Sequence, residues 1–385
     1  MLEIEVGFDG SCPQSPDGVR REGDTTFRIL PSWRPEPGVS EECLGRTTRL
    51  GFRVRNSGAL PVAATLHVDW QYDEAPPDAP RSFQSREHYM SLRDFCVAQD
   101  PGIPEWRYLM ADVAGSVATL RLGIEPGVTE IHWHPPYNYA RGEAFVADVR
   151  GQPYTSVEHL GQSQGERNLW LIRIRGGSGG GAPFFVRART HAYESAGSYM
   201  MEGMVRFLLG SDPWAAVARR DYEFFFLPMA NPDGVHDGMG RLTAPRGSDL
   251  VLATPAIEDP AYIAMMSAVE RIRPAHFIDI HNWQGKFSDG LLGMDPARRE
   301  PFFHYMPPAG REAKRWYIRD PENVAGPVPS RETLGRYCRR VYGARAASFE
   351  VSWFGRSPAD VRRFGADALR AILITNAAPA DPETI

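Results

Sequence analysis

Between residues 184 and 210 the chain changes its hydrophobic period once, and this change constrains the fold more than any other feature. Phe184-Phe185-Val186-Arg187-Ala188-Arg189 is a short apolar strand. It runs into His191-Ala192-Tyr193-Glu194, after which the apolar positions become Met200, Met201, Met204, Val205 and Leu208. That spacing is a helical stripe, closed by Gly210. Residues 168–175, 221–228, 276–281 and 346–351 are further buried-strand candidates, and Ser357-Pro358 opens a last helix. Strands alternating with helices imply an α/β domain with a mixed, largely parallel central sheet flanked by helices. Ligands gather at the carboxyl ends of strands in such sheets. His191, Asn231, His281 and Glu350 all fall at or just past such ends.

The first 130 residues read differently. Residues 49–56 and 62–71 alternate around the turn Ser57-Gly58-Ala59-Leu60-Pro61, and residues 117–136 repeat the pattern around Pro126-Gly127. Short strands with turns between them predict an antiparallel β-sandwich. A chain of 385 residues exceeds one ordinary domain, so two are expected, 1–132 and 133–385. Net charge is −5, which sets aside a nucleic-acid or membrane-surface partner. The cations are almost all arginine, Lys286 and Lys314 being the only lysines. Arginine is the better residue for a two-pronged grip on carboxylates. Cys12, Cys43, Cys96 and Cys338 form no CxxC pair, and the start of the chain has neither a basic nor an apolar leader region. A reduced, cytoplasmic protein is expected.

His191 and Glu194 form a His-x-x-Glu at the strand-to-helix junction, and His281 ends a later apolar run. Two imidazoles and a carboxylate can hold one Zn²⁺ and leave its fourth position open for water, the pattern of a catalytic site. Each residue alone has a plainer reading: a capping histidine, an exposed helix-start glutamate, a hydrogen-bonded core histidine. Glu350 lies within the apolar stretch Ala346–Val351. A carboxylate there is costly unless it is paired or functional. It is either a salt-bridge partner for an arginine or a general base beside the metal. Asn231-Pro232-Asp233-Gly234 is a turn in its own right, and Arg241 follows it. His132 and His134 lie two apart, share a strand face and could ligate a metal, although interdomain packing explains them more simply.

Taken in order, these elements resemble the zinc metallocarboxypeptidases of the carboxypeptidase A superfamily, most closely the cytosolic carboxypeptidase branch with its N-terminal β-sandwich. The resemblance rests on HxxE, NPDG with an arginine seven residues after the glycine, a later Asp-x-His, and a glutamate in a late strand. It implies a carboxypeptidase-like fold in which His191, Glu194 and His281 bind one zinc ion. It implies that Glu350 is the catalytic base, that Arg241 polarises the scissile carbonyl, and that Asp249 supports the first zinc histidine. Asn231 and Arg246 are the implied substrate contacts, and the substrate is a peptide or small amide.

One element departs from the family pattern. Where an Asn-Arg pair normally follows Asp-Leu and clamps a terminal carboxylate, this chain has Asp249-Leu250-Val251-Leu252. Arg246, or one of Arg311, Arg315, Arg319, Arg331, Arg336, Arg339 and Arg340, could replace the clamp; otherwise the enzyme no longer requires a free C-terminus. Tyr305, Tyr317, Tyr337 and Tyr342 all lie where a substrate-capping tyrosine is expected. Two alternatives compete with peptide hydrolysis: a zinc deacylase acting on small N-acyl amino acids, and a binding module whose catalytic function has drifted.

Overall fold

The computed structural model describes residues 1–31, 49–70, 94–98, 106–115, 117–177, 180–241, 243, 248–282, 288–308, 316–321 and 332–377. The chain divides into two compact units. The first holds Met1–Ala140 with His191–Ser195 and Asn231–Asp249; the second holds Arg141–Thr190, Ala196–Ala230 and Leu250–Ile385.

The first unit carries β1 (Leu2–Glu5), β2 (Val19–Arg21), β3 (Thr26–Ile29), β4 (Gly51–Asn56), β5 (Val62–Asp69), β6 (Asp94–Ala98), β7 (Arg107–Met110), β8 (Asp112–Ala114), β9 (Val117–Ile124) and β10 (Gly127–His132). They form two five-stranded sheets, ordered β1-β4-β10-β6-β7 and β2-β3-β5-β9-β8. Alternate positions point inward, and Phe52, Val54, Leu66, Val68, Leu120 and Ile131 join one apolar core drawn from both sheets. The expected strand–turn–strand units do not close as hairpins. β4 and β5 lie in different sheets, as do β9 and β10. Asn56 holds the first of these turns, donating to Leu60 O at 2.8 Å and Ile124 O at 2.9 Å. Each passage to the other sheet reverses the chain, so β3 and β5, with β4 between them in sequence, run parallel. The other described strand pairs of the two sheets are antiparallel, as expected.

The helices in chain order are α1 (Tyr139–Val149), α2 (Ser195–Leu209), α3 (Pro213–Asp221), α4 (Pro232–His236), α5 (Pro260–Ile272), α6 (Pro296–Tyr305), α7 (Leu334–Tyr342) and α8 (Pro358–Ala377). Among the described residues no helix is long and apolar enough to cross a membrane. Starts follow local chemistry: the Asp259 carboxylate accepts from Ala261 N at 2.9 Å with Pro260 in the first turn, and Ser357 Oγ accepts from Asp360 N at 3.2 Å.

The second unit carries β11 (Thr155–Gln162), β12 (Asn168–Ile174), β13 (Ala182–Ala188), β14 (Tyr222–Leu227), β15 (His276–Asn282), β16 (Gly290–Leu292), β17 (Tyr317–Arg319) and β18 (Arg345–Val351). They form a mixed α/β sheet ordered β11-β12-β14-β13-β15-β18-β16-β17. Its four central strands, β14, β13, β15 and β18, are parallel. One face packs Phe185 and Phe277 against Tyr262, Met265 and Val269 of α5 and Leu334 and Cys338 of α7. On the other face Phe349 meets Phe302 of α6 and Phe364 of α8, with ring centroids 6.0 and 6.4 Å apart. There α2 and α8 cross at backbone contact. A β-carbon added to Gly365 would overlap the Met200 carbonyl oxygen, and one added to Gly203 would overlap that of Arg362.

Candidate metal centre

The expected site residues sit where the parallel strands end. His191 follows β13, Asn231 follows β14, and His281 lies in the last turn of register of β15. Glu350 is the penultimate residue of β18 and stands directly opposite His281. Neighbouring parallel strands lie about 4.8 Å apart.

In the first unit, His191 Nδ1 lies 2.8 Å from Glu194 Oε1, and His191 Nε2 lies 3.4 Å from Asp249 Oδ1. Arg241 turns onto the other Asp249 oxygen, with Nε at 3.1 Å and Nη2 at 3.0 Å. His191, Glu194 and Asp249 are all buried. Burial by itself would lower the His191 pKa. Glu194 and Asp249 outweigh both burial and the opposing Arg241 charge, and raise it. Asn231 is also buried and caps α4, its Oδ1 accepting from Gly234 N at 2.9 Å.

In the second unit, His281 Nε2 lies 3.2 Å from Asp279 Oδ2. Asp279 is in turn gripped by Arg187, from Nε at 2.9 Å and Nη2 at 2.6 Å. Arg187 and Asp279 face each other across β13 and β15, and both are buried. Burial would raise the Asp279 carboxyl, but Arg187 and His281 overcome it and hold the group well below the usual carboxylate range. Arg187 also donates to Leu250 O at 2.9 Å, so it fixes the start of the segment Leu250–Leu252. Glu350 is half-buried, which corrects the expectation of a fully buried strand carboxylate.

His191, Glu194 and His281 each offer a ligand atom, and these atoms lie within 4.8 Å of one another. The donor set fits zinc: two imidazole nitrogens and one carboxylate, all buried. Each histidine turns Nε2 toward an aspartate, an arrangement that favours the tautomer in which Nδ1 meets a cation. His132 and His134 join no such group among the described residues. His132 Nε2 instead meets Glu130 Oε1 at 2.6 Å, and His134 stacks on Trp133.

Residues 144–240 match the family model described as zinc carboxypeptidase. That match covers about a quarter of the chain. It is 45% identical to mouse cytosolic carboxypeptidase 4 over 115 residues, which is 29% of this chain and 10% of that protein. With human cytosolic carboxypeptidase 6 the identity is 34% over 110 residues, 27% of this chain and 22% of that protein. The chain thus aligns with less than a quarter of the length of either relative. A metallo-carboxypeptidase from Burkholderia cenocepacia shares the fold, with TM-score 0.78, 20% identity, and coverage of 98% of this chain and 99% of that one. A Pseudomonas aeruginosa metallo-carboxypeptidase, solved with (2-guanidinoethylmercapto)succinic acid, superposes with TM-score 0.77 at 18% identity, covering 97% and 99%. The chain therefore shares its fold with these two metallo-carboxypeptidases.

Sequence reasoning gives Arg187 no role and uses Asp279 only as a spacing mark. The available signal was a charged residue in each of two apolar strands, FVRA and FIDI, which is costly unless the two meet. Arg246, Arg311, Arg315 and Arg331 lie outside the described residues. Arg340 forks onto Glu332 at 2.9 and 2.7 Å. Arg319, Arg336 and Arg339 line a cavity of ≈ 40 Å³ together with Asp320 and Ser348.

Proposed function

We propose that this chain hydrolyses a peptide or amide bond with one zinc ion held by His191, Glu194 and His281, in a catalytic domain spanning 133–385. The observation that carries the reading is the convergence of those three buried ligands at the ends of the central strands. Zinc in such a site supplies a Lewis acid and brings the pKa of water from 15.7 down to about 7.

The chain's own residues supply the rest. Glu350, opposite His281, accepts a proton from the attacking water and returns it to the leaving amine. Asp249 occupies Nε and Nη2 of Arg241, so Nη1 is the nitrogen that would meet the carbonyl oxygen and stabilise developing negative charge. Asp249 and Asp279 keep the two imidazoles in the ligating tautomer.

The arginine-lined cavity supports a replacement for the lost clamp. Val251 and Leu252 cannot pair with a carboxylate. Arg319, Arg336 and Arg339 line the cavity beside Asp320, which pairs with Arg299; Arg336 also lies 3.9 Å from Glu332 Oε1, and Arg339 donates to Gly293 O and, at 2.8 Å, to Ala346 O. Ser348 lies two residues before Glu350 on β18, hence on the same face and about 7 Å away. A substrate carboxylate seated there would leave its adjoining amide near Glu350. A cytoplasmic setting belongs to the same reading, and Cys338 is a buried free thiol.

The test pairs metal analysis with a screen of free-ended peptides, C-terminally amidated peptides and N-acyl amino acids. Wild-type protein should hold one zinc per chain and cleave free-ended peptides. Glu350→Gln should keep the metal and lose turnover by at least about 10²-fold. A wild type without zinc, or a Glu350→Gln variant as fast as wild type, overturns the proposal. Cleavage confined to N-acyl amino acids would favour the deacylase reading, to which the missing Asn-Arg pair already points. Stoichiometric metal with no hydrolysis would favour the binding module.

A further inference from the structure

Resting on that reading, we propose that Gly10, Gln14 and Arg49 of the first unit are positioning residues for the metal-ligand loop, acting through the backbone of residues 234–240. Three donors from the N-terminal region converge on α4. Gly10 N donates to His236 O at 2.7 Å, Gln14 Nε2 donates to the same oxygen at 3.2 Å, and Arg49 Nη1 donates to Gly234 O at 3.3 Å. Arg49 is only 8% exposed, so its charge has been taken out of water and set against a backbone carbonyl. A buried guanidinium is an expensive way to hold a carbonyl unless its position matters.

The packing at this contact leaves no slack. Gly10 has φ +83°, and a β-carbon there would lie 2.7 Å from Arg49 Nη2. Gly238 has φ +68°, and its β-carbon would overlap the Ser11 carbonyl oxygen. Both positions need glycine, for conformation and for space.

From α4 the connection continues to the ligands. Gly234 O also accepts from Met239 N at 2.8 Å, which closes the turn after α4. Gly240 O then accepts from Tyr193 N at 3.0 Å, and Tyr193 lies between the ligands His191 and Glu194. Glu194 N and Ser195 N complete that loop by donating to His191 O and Tyr193 O, at 3.2 and 2.8 Å. Arg241 and Asp249, which meets His191, leave the same segment. An unbroken series of hydrogen bonds and short backbone links therefore runs from Arg49 to the loop that holds two of the three ligands. Loosening its first member should loosen the last.

The experiment compares Arg49→Met, Arg49→Lys and Leu120→Ala in the full chain. Leu120→Ala opens a cavity in the same unit's core without touching the series. Two readouts are taken: hydrogen exchange of the Tyr193 and Met239 amides in metal-free protein, and zinc affinity by chelator competition. Arg49→Met should speed Tyr193 exchange at least about 10-fold and weaken zinc binding at least about 10-fold, the lower end for residues that orient a ligand from outside the coordination sphere. Arg49→Lys should restore part of both, and Leu120→Ala should leave both within about twofold of wild type. If Arg49→Met does not fold, Gln14→Ala removes one donor to His236 O and is read the same way. Unchanged Tyr193 exchange overturns the proposal. Faster exchange in a protein whose wild type binds no zinc would leave the positioning role standing and bring down the hydrolase reading instead.

Discussion

Removing Arg187 should cost more than any substitution at the ligands themselves. The guanidinium is completely buried and holds Asp279, 92 residues away in sequence, through two bonds of 2.9 and 2.6 Å. Arg187→Met keeps the bulk of the side chain but leaves the Asp279 carboxylate buried with no cation to hold it. Breaking a buried pair from one side costs about 3–5 kcal/mol. The lost bond to Leu250 O adds about 1 kcal/mol. In the double variant Arg187→Met, Asp279→Leu the stranded charge is gone, so most of the stability should return. Zinc affinity should stay at least about 10-fold weak, because His281 has then lost the aspartate at its Nε2. Urea titration followed by far-UV circular dichroism measures the first quantity, and chelator competition measures the second. A single variant within about 1 kcal/mol of wild type, or a double variant no more stable than the single, would show that the pair is not the anchor of this sheet.

Two further outcomes follow from the packing and charge of each unit. Gly365→Ala should destabilise the protein by about 3 kcal/mol, since the added carbon meets the fixed Met200 carbonyl and must separate α2 from α8; a urea midpoint equal to wild type would refute that crossing. In the first unit, burial would raise the Glu130 pKa, but His132 and Arg53 outweigh it and bring the group down to about 2. A depressed carboxyl stabilises the fold above its unfolded pKa near 4.5 and loses that contribution as pH falls toward 2, here about 3 kcal/mol. Glu130→Gln should therefore flatten the stability profile between about pH 4.5 and 2, and an unaltered acid limb would refute the assignment.

Local chemistry is read directly from the residues. The change of period after Arg189, the strands at 168–174, 222–227, 276–282 and 345–351, and the last helix opened by Ser357-Pro358 all appear within a residue or two of expectation, because propensity and periodicity act over a few neighbours. The same locality placed His191, His281 and Glu350 at strand ends.

What sequence left open is whatever depends on which distant segments meet. The turn at 57–61 reads the same whether it closes a hairpin or carries the chain to another sheet, and here it does the latter. Nothing near Arg187 names Asp279 as its partner, and nothing near α7 says that Arg336 and Arg339 share a cavity with Arg319. Nor do residues 10, 14 and 49 announce that they hold the carbonyls of 234 and 236. Strand register makes the first of these pairings and tertiary packing the others, and a shift of one residue would turn each strand's side chains to the opposite face. By itself, then, the sequence determined the kind of fold and named the candidate metal ligands. Only the assembled sheets decided which charges face one another, because that choice is made by contacts between residues tens to hundreds of positions apart.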